Sequence, residues 1–167
     1  MKKLLPEWRK YLKEEASKIY YWQTQGPWLH PEDPIGQHVP KARPRQEDGG
    51  RIEDIFEAVR KEKFPDRPSR LDCAYLCENV KGWEGRSYCR YPASDGGETY
   101  EVELRGDYNL FKANAEFWVA ALERVDDEAE TRSFAESYWK GAGKSVTFLE
   151  ILVSPPEAAV IVGRYEE

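Results

Sequence analysis

At 167 residues the chain is sized for one domain with its own core and is short for two. Hydrophobic residues make up 40% and charged residues 34%, a globular composition with no run of apolar residues long enough for a membrane span. The net charge of −6 excludes a global basic field for nucleic acid and makes stable nucleic-acid binding an unexpected role.

Six Trp and ten Tyr give enough rings for a core and for a groove that stacks on a planar ligand. Residues 1–17 are expected to form an N-terminal helix, with Leu4, Leu5, Trp8, Tyr11 and Leu12 as its apolar stripe. The opening "MKK" starts like a signal peptide, but no apolar run follows, so a cytoplasmic protein is expected. "KIYYWQTQ" (18–25), aromatic and β-branched, is the first strand.

Residues 26–50 carry five Pro, four Gly and both histidines without helical or strand period. Such a stretch inside a compact domain reads as a functional loop. "RIEDIFEAVRKEKF" follows as a helix with Ile52, Ile55, Phe56 and Val59 on one face, stopped by "PDRPSR". "LDCAYLCENV" (71–80) is the second strand, and Gly-rich 81–99 contains a short strand near 87–91. "TYEVELRG" alternates as a strand, "LFKANAEFWVAALERV" reads as a helix, and "DDEAETRSFAESYWKG" as another with Gly141 at its end. "SVTFLEILVSPPEAAVIVG" (145–163) closes the chain as two apolar strands around a Pro-Pro turn. Strands and helices do not alternate regularly, so the fold class is α+β in a single domain spanning 1–167.

Three cysteines, an odd number, do not suggest a disulfide framework. Cys73 and Cys77, four apart on a strand, would lie about 13 Å apart by the strand rise, too far to share one zinc ion. "GAGKS" (141–145) lacks the first Gly of a Walker loop and leads into a strand.

Two features stand out. Alternation in the last segment places Thr147, Leu149, Ile151 and Val153 on one face, and Val146, Phe148, Glu150 and Leu152 on the other. Glu150 is a carboxylate where an apolar residue belongs. Desolvating it costs several kcal/mol (roughly) unless it is paired, hydrogen-bonded or protonated. An open edge strand, a Lys or Arg partner and a functional site would each explain it. Ser69 and Arg70, just before the second strand, fit either a strand mouth that meets a ligand or a turn with Arg70 in a surface salt bridge.

"IYYWQTQ", "PSRLDCAYLCEN" and "YWKG…FLEILV", in this order, resemble the ADP-ribosyltransferase fold superfamily, especially its small bacterial and phage members. The resemblance covers most of residues 18–163. It implies a split, strongly twisted pair of small β-sheets with flanking helices. It further implies a glycosyltransferase-class enzyme that takes NAD as substrate, passes ADP-ribose to a macromolecular acceptor such as a protein, and releases nicotinamide. Glu150 matches the catalytic glutamate, and Tyr75 matches the aromatic that packs on nicotinamide. Ser69 and Arg70 lie at the mouth of the same strand, where an arginine fork can pair with the pyrophosphate. Tyr21, Trp22, Gln23 and Thr24 match the first motif, with Trp22 or Gln23 where the superfamily usually has His or Arg. The alternative is a non-enzymatic binding or inhibitor module, for example a phage protein occupying a host partner. An RNA-processing relative of the same fold would need a more basic pocket.

Overall fold

The structure is a computed structural model that describes residues 18–24, 30–37, 47–78, 98–143 and 148–166. The helix expected over 1–17, the strand near 87–91, Cys89, His38, the start of the last strand (145–147) and much of the 26–50 loop lie outside the described residues. Six strands are present among those described: β1 (Tyr20–Thr24), β2 (Ala74–Leu76), β3 (Glu98–Leu104), β4 (Asn109–Asn114), β5 (Leu149–Ser154) and β6 (Ala159–Arg164). Three α-helices accompany them: α1 (Glu47–Lys63), α2 (Glu116–Leu122) and α3 (Glu128–Trp139).

The strands form two small sheets, ordered β1-β3-β6 and β2-β5-β4, with every pairing antiparallel. The expected α+β architecture, a split pair of small sheets with flanking helices, is what the chain forms. An antiparallel bridge between Tyr21 and Cys77 links the two sheets, with reciprocal backbone hydrogen bonds of 2.8 and 2.9 Å.

Strand alternation decides where each face goes. Ile151 and Val153 of β5 join Leu76, Tyr20, Tyr100, Val102 and Ile161 in a core shared by both sheets. The other face of the second sheet, with Phe111, Ala113 and Leu152, packs against Ile52, Phe56 and Val59 of α1, Ala121 of α2, and Ala135, Tyr138 and Trp139 of α3. The Trp139 indole donates to the Phe56 carbonyl at 2.8 Å, joining α3 to α1. Asp127 caps α3 by accepting the Glu130 N–H at 2.9 Å, and Gly141, at φ +98°, lets the chain leave it.

Two expectations need correction, and two gain detail. "LFKAN" is β4 and not the start of a helix. Phe111 and Ala113 alternate inward against β5, and the Asn114 side chain accepts the Glu116 N–H at 3.0 Å, so the helix starts only there. The last two strands do not pair with each other: Pro155 and a short 3-10 turn at Pro156–Ala158 carry the chain from one sheet to the other. Helix α1 begins at Glu47, through "EDGG", which has no apolar period to reveal it. Finally, residues 30–37 are docked. Glu32 donates to Ile161 and Asp33 accepts from it, covering the edge of β6, while Ile35 is fully buried in the core between the sheets.

Cysteine chemistry also differs from expectation. Cys77 is disulfide-bonded, whereas Cys73 is a buried free thiol. Among the described residues no group of three or more His, Cys, Asp or Glu could hold a metal ion, and no helix is long and apolar enough to cross a membrane.

Candidate active site around Glu150

Glu150 is the second residue of β5, opposite Ala113 of β4, and its side chain is 15% exposed. The explanation for a carboxylate on this apolar face is Arg70. Arg60 of α1 donates to the Pro65 and Arg67 carbonyls of the loop that follows, and Arg70 turns inward just before β2, with its side chain only 1% exposed. A guanidinium desolvated this completely needs partners for its donors. Arg70 Nε and Nη2 donate to the two oxygens of Glu53 on α1, each at 2.9 Å. Nη1 donates to the Tyr138 hydroxyl at 2.6 Å and to Glu150 Oε2. Tyr138 in turn donates its own proton to Glu150 Oε2 at 2.5 Å.

Burial opposes the charge on Arg70. The neighbouring Glu150, Tyr138, Tyr75 and Glu53 outweigh it and hold the guanidinium well above the usual arginine range. Burial also pushes the Tyr138 and Tyr75 hydroxyls well above the tyrosine range, although Arg70 pulls them down, so both remain protonated donors. Tyr75 uses its proton on the Arg70 carbonyl at 2.7 Å. The rings of Tyr75, Trp118 and Tyr138 lie around the guanidinium, with centroids 5.2, 5.4 and 5.1 Å from its central carbon. These are cation–π distances.

The two oxygens of Glu150 are therefore unequal. Oε2 accepts from both Arg70 and Tyr138, while Oε1 has no partner among the described residues. Both bonds that fix the carboxylate fall on one oxygen. Counting Arg70 against Glu53 and Glu150, the cluster carries one excess negative charge.

Pairing register places the motif strands side by side. Tyr21 of β1 opposes Cys77, Tyr75 lies two residues before Cys77 on the same face, Tyr75 opposes Leu152 of β5, and Glu150 lies two residues before Leu152. Tyr21, Tyr75 and Glu150 thus share one continuous face across three neighbouring strands.

Other expected site residues are placed elsewhere. Trp22 is on the opposite face of β1, 6.2 Å from the Tyr100 ring, packed on the core between the sheets. Ser69 donates to Glu57 at 3.0 Å, in a separate cluster where Glu57 also accepts two bonds from Arg60. Tyr21 stands edge-on to Tyr165 at 5.5 Å. Gln23 and Thr24 have backbone register opposite Thr99 and Glu98, while their side chains lie outside the described residues. The expected role of Arg70 changes most. It is neither in a surface salt bridge nor open to a pyrophosphate, because its fork is occupied by Glu53.

Sequence reasoning missed Glu53 and Trp118, and gave Tyr138 no role beyond its place in the "YW" motif. Glu53, Glu57 and Arg60 do recur at i, i+4 and i+7 along α1 beside Ile52, Phe56 and Val59, a polar stripe bordering an apolar one. That stripe was the available signal.

Residues 46–162 match the family model described as a protein of unknown function, DUF2441. The chain belongs to the DUF2441 family. The DUF2441 match contains Glu53, Arg70, Tyr75, Trp118, Tyr138 and Glu150, the whole cluster, while β1 precedes it. No curated protein matches the chain.

Proposed function

We propose that this DUF2441 protein is an NAD-dependent ADP-ribosyltransferase with Glu150 as its catalytic carboxylate. The observation that carries the reading is the asymmetry of Glu150: Oε2 is anchored by Arg70 and Tyr138, and Oε1 has no partner among the described residues. The common face of Tyr21, Tyr75 and Glu150 on adjoining strands supports it.

The chemistry suits that arrangement. Cleavage breaks the bond between the ribose anomeric carbon and the nicotinamide nitrogen, with the electron pair leaving on nicotinamide. The sugar develops oxocarbenium character, as in glycoside cleavage. A fixed carboxylate can accept a hydrogen bond from the ribose 2′-hydroxyl and stabilise that positive charge, more strongly where rings exclude water. The acceptor nucleophile then bonds to the anomeric carbon, and its proton passes to Glu150 or to solvent. The excess negative charge of the cluster favours a substrate whose reacting end is cationic.

The acceptor is a macromolecule, a protein in the first instance. The protein incubated with labelled NAD and cell extract should transfer label to an acceptor, and Glu150→Gln should not. Absence of both NAD binding and label transfer by the wild type would defeat the enzymatic reading.

A non-enzymatic binding module is favoured by one observation, the closed bonding of Arg70, whose fork grips Glu53 and not a ligand. A cytoplasmic setting was expected from the sequence, but a disulfide at Cys77 is rare in reducing compartments and lends it no support.

A further inference from the structure

We infer that Glu53 is a positioning residue for Glu150, acting across the site through Arg70; this rests on the catalytic reading of Glu150 proposed above. Arg70 has a flexible stem, and a guanidinium held at one end only could swing between Glu150 and other acceptors. Glu53 removes that freedom. It takes Nε and Nη2 together, in the bidentate geometry that fixes the plane of the fork. With the plane fixed, Nη1 is directed at Tyr138 and at Oε2 of Glu150. The carboxylate is then held from one side, and the rotation that would offer Oε2 in place of Oε1 is disfavoured. Glu53 reaches this position because α1 packs on the sheet through Ile52 and Phe56, which flank it in sequence. Glu53 bonds to Arg70 and Arg70 bonds to Glu150, so the hydrogen-bonded path from Glu53 to the carboxylate runs through the guanidinium.

The inference distinguishes geometry from charge. Lysine at position 70 would keep the charge but has no fork, so Arg70→Lys should lose the same orientation as Glu53→Gln. Small displacements of a catalytic group cost large factors in rate. Glu53→Gln is therefore expected to lower kcat for nicotinamide release about 10- to 100-fold, with KM for NAD changed by less than about twofold. Glu62→Gln, on the exposed side of the same helix, where Glu62 pairs with Arg132, should leave kcat unchanged.

The test is a double-mutant cycle on kcat, with rates expressed per NAD-binding site so that a smaller folded fraction does not register. If Glu53 acts through Arg70, adding Glu53→Gln to Arg70→Lys causes no further loss. Multiplying losses, or wild-type kcat in Glu53→Gln, would overturn the inference. A second readout needs no activity: the Arg70 Nε–H signal in 15N NMR should exchange slowly with water in the wild type and be lost or fast in Glu53→Gln. A signal unchanged by that substitution overturns the inference. If the wild type releases no nicotinamide, the proposed function fails, and the NMR measurement still decides whether Glu53 locks Arg70.

Discussion

Arg70 donates to Glu150 on β5 with one nitrogen and grips Glu53 on α1 with two others. One buried cation therefore ties the helix layer to the strand carrying the candidate catalytic carboxylate. Removing one partner of a buried ion pair is far more damaging than replacing the whole set by apolar residues. Arg70→Leu is expected to cost about 3–5 kcal/mol in urea unfolding, because two carboxylates lose their counter-charge. The triple Arg70→Leu, Glu53→Leu, Glu150→Leu should recover most of that loss while remaining inactive. A small effect of the single substitution would show that Arg70 is not held as described.

Tyr138 combines packing with chemistry. Its ring stands edge-on to Phe56 at 5.3 Å and to Trp139 at 4.9 Å, and its hydroxyl accepts from Arg70 while donating to Glu150. Tyr138→Phe keeps the ring contacts and deletes both hydrogen bonds. The expected result is a stability loss of about 1–2 kcal/mol and a lower kcat. Differential scanning calorimetry and a nicotinamide-release assay would read the two effects separately.

Glu57 makes a prediction about pH. Burial pushes its carboxyl up, but the Arg60 hydrogen bonds and charge, aided by Ser69 and Lys61, hold it below the ordinary value of 4.5. A folded pKa lowered in this way contributes stability above pH 4.5 that is lost as pH falls through the lowered value. Wild-type stability should thus decline from about pH 4.5 downward, and Glu57→Gln should flatten that part of the profile. Urea midpoints measured between pH 3 and pH 6 would test it. An unchanged acid slope in the variant would contradict the assignment.

Gly36 reports on the docked part of the long loop. A Cβ there would sit 2.8 Å from the Glu157 side chain and 2.9 Å from its backbone nitrogen, too close for any real contact. Gly36→Ala is expected to destabilise by about 1–3 kcal/mol, as overpacking does, and to loosen residues 30–37 from β6. Hydrogen exchange at the Ile161 amide, which donates to Asp33 at 3.0 Å, would show this directly.

The legible parts of this fold were those with a single pattern. β3 alternates from Tyr100 to Leu104, α3 has an acidic start and a glycine stop, and the two faces of β5 were separable because alternation admits one solution. "LFKANAEFWVAAL" was ambiguous because a short alternating strand followed by a helix resembles one longer helix. Only pairing with β5 decides between them. For the site, Glu150 was visible as a break in a hydrophobic pattern, and Tyr75 as part of a motif. The partnership of Arg70 with Glu53 was not visible. The two are 17 residues apart on different elements, and both look like surface charges until α1 packs on the sheet.

The most direct test of the proposed activity is the rate of nicotinamide release from NAD by wild type and Glu150→Gln, with thermal melts to show that both are folded. The expected result is measurable release by the wild type and a loss of at least about 100-fold in the variant. Equal rates in the two proteins, or no release by a folded wild type supplied with cell extract, would contradict a catalytic role for Glu150.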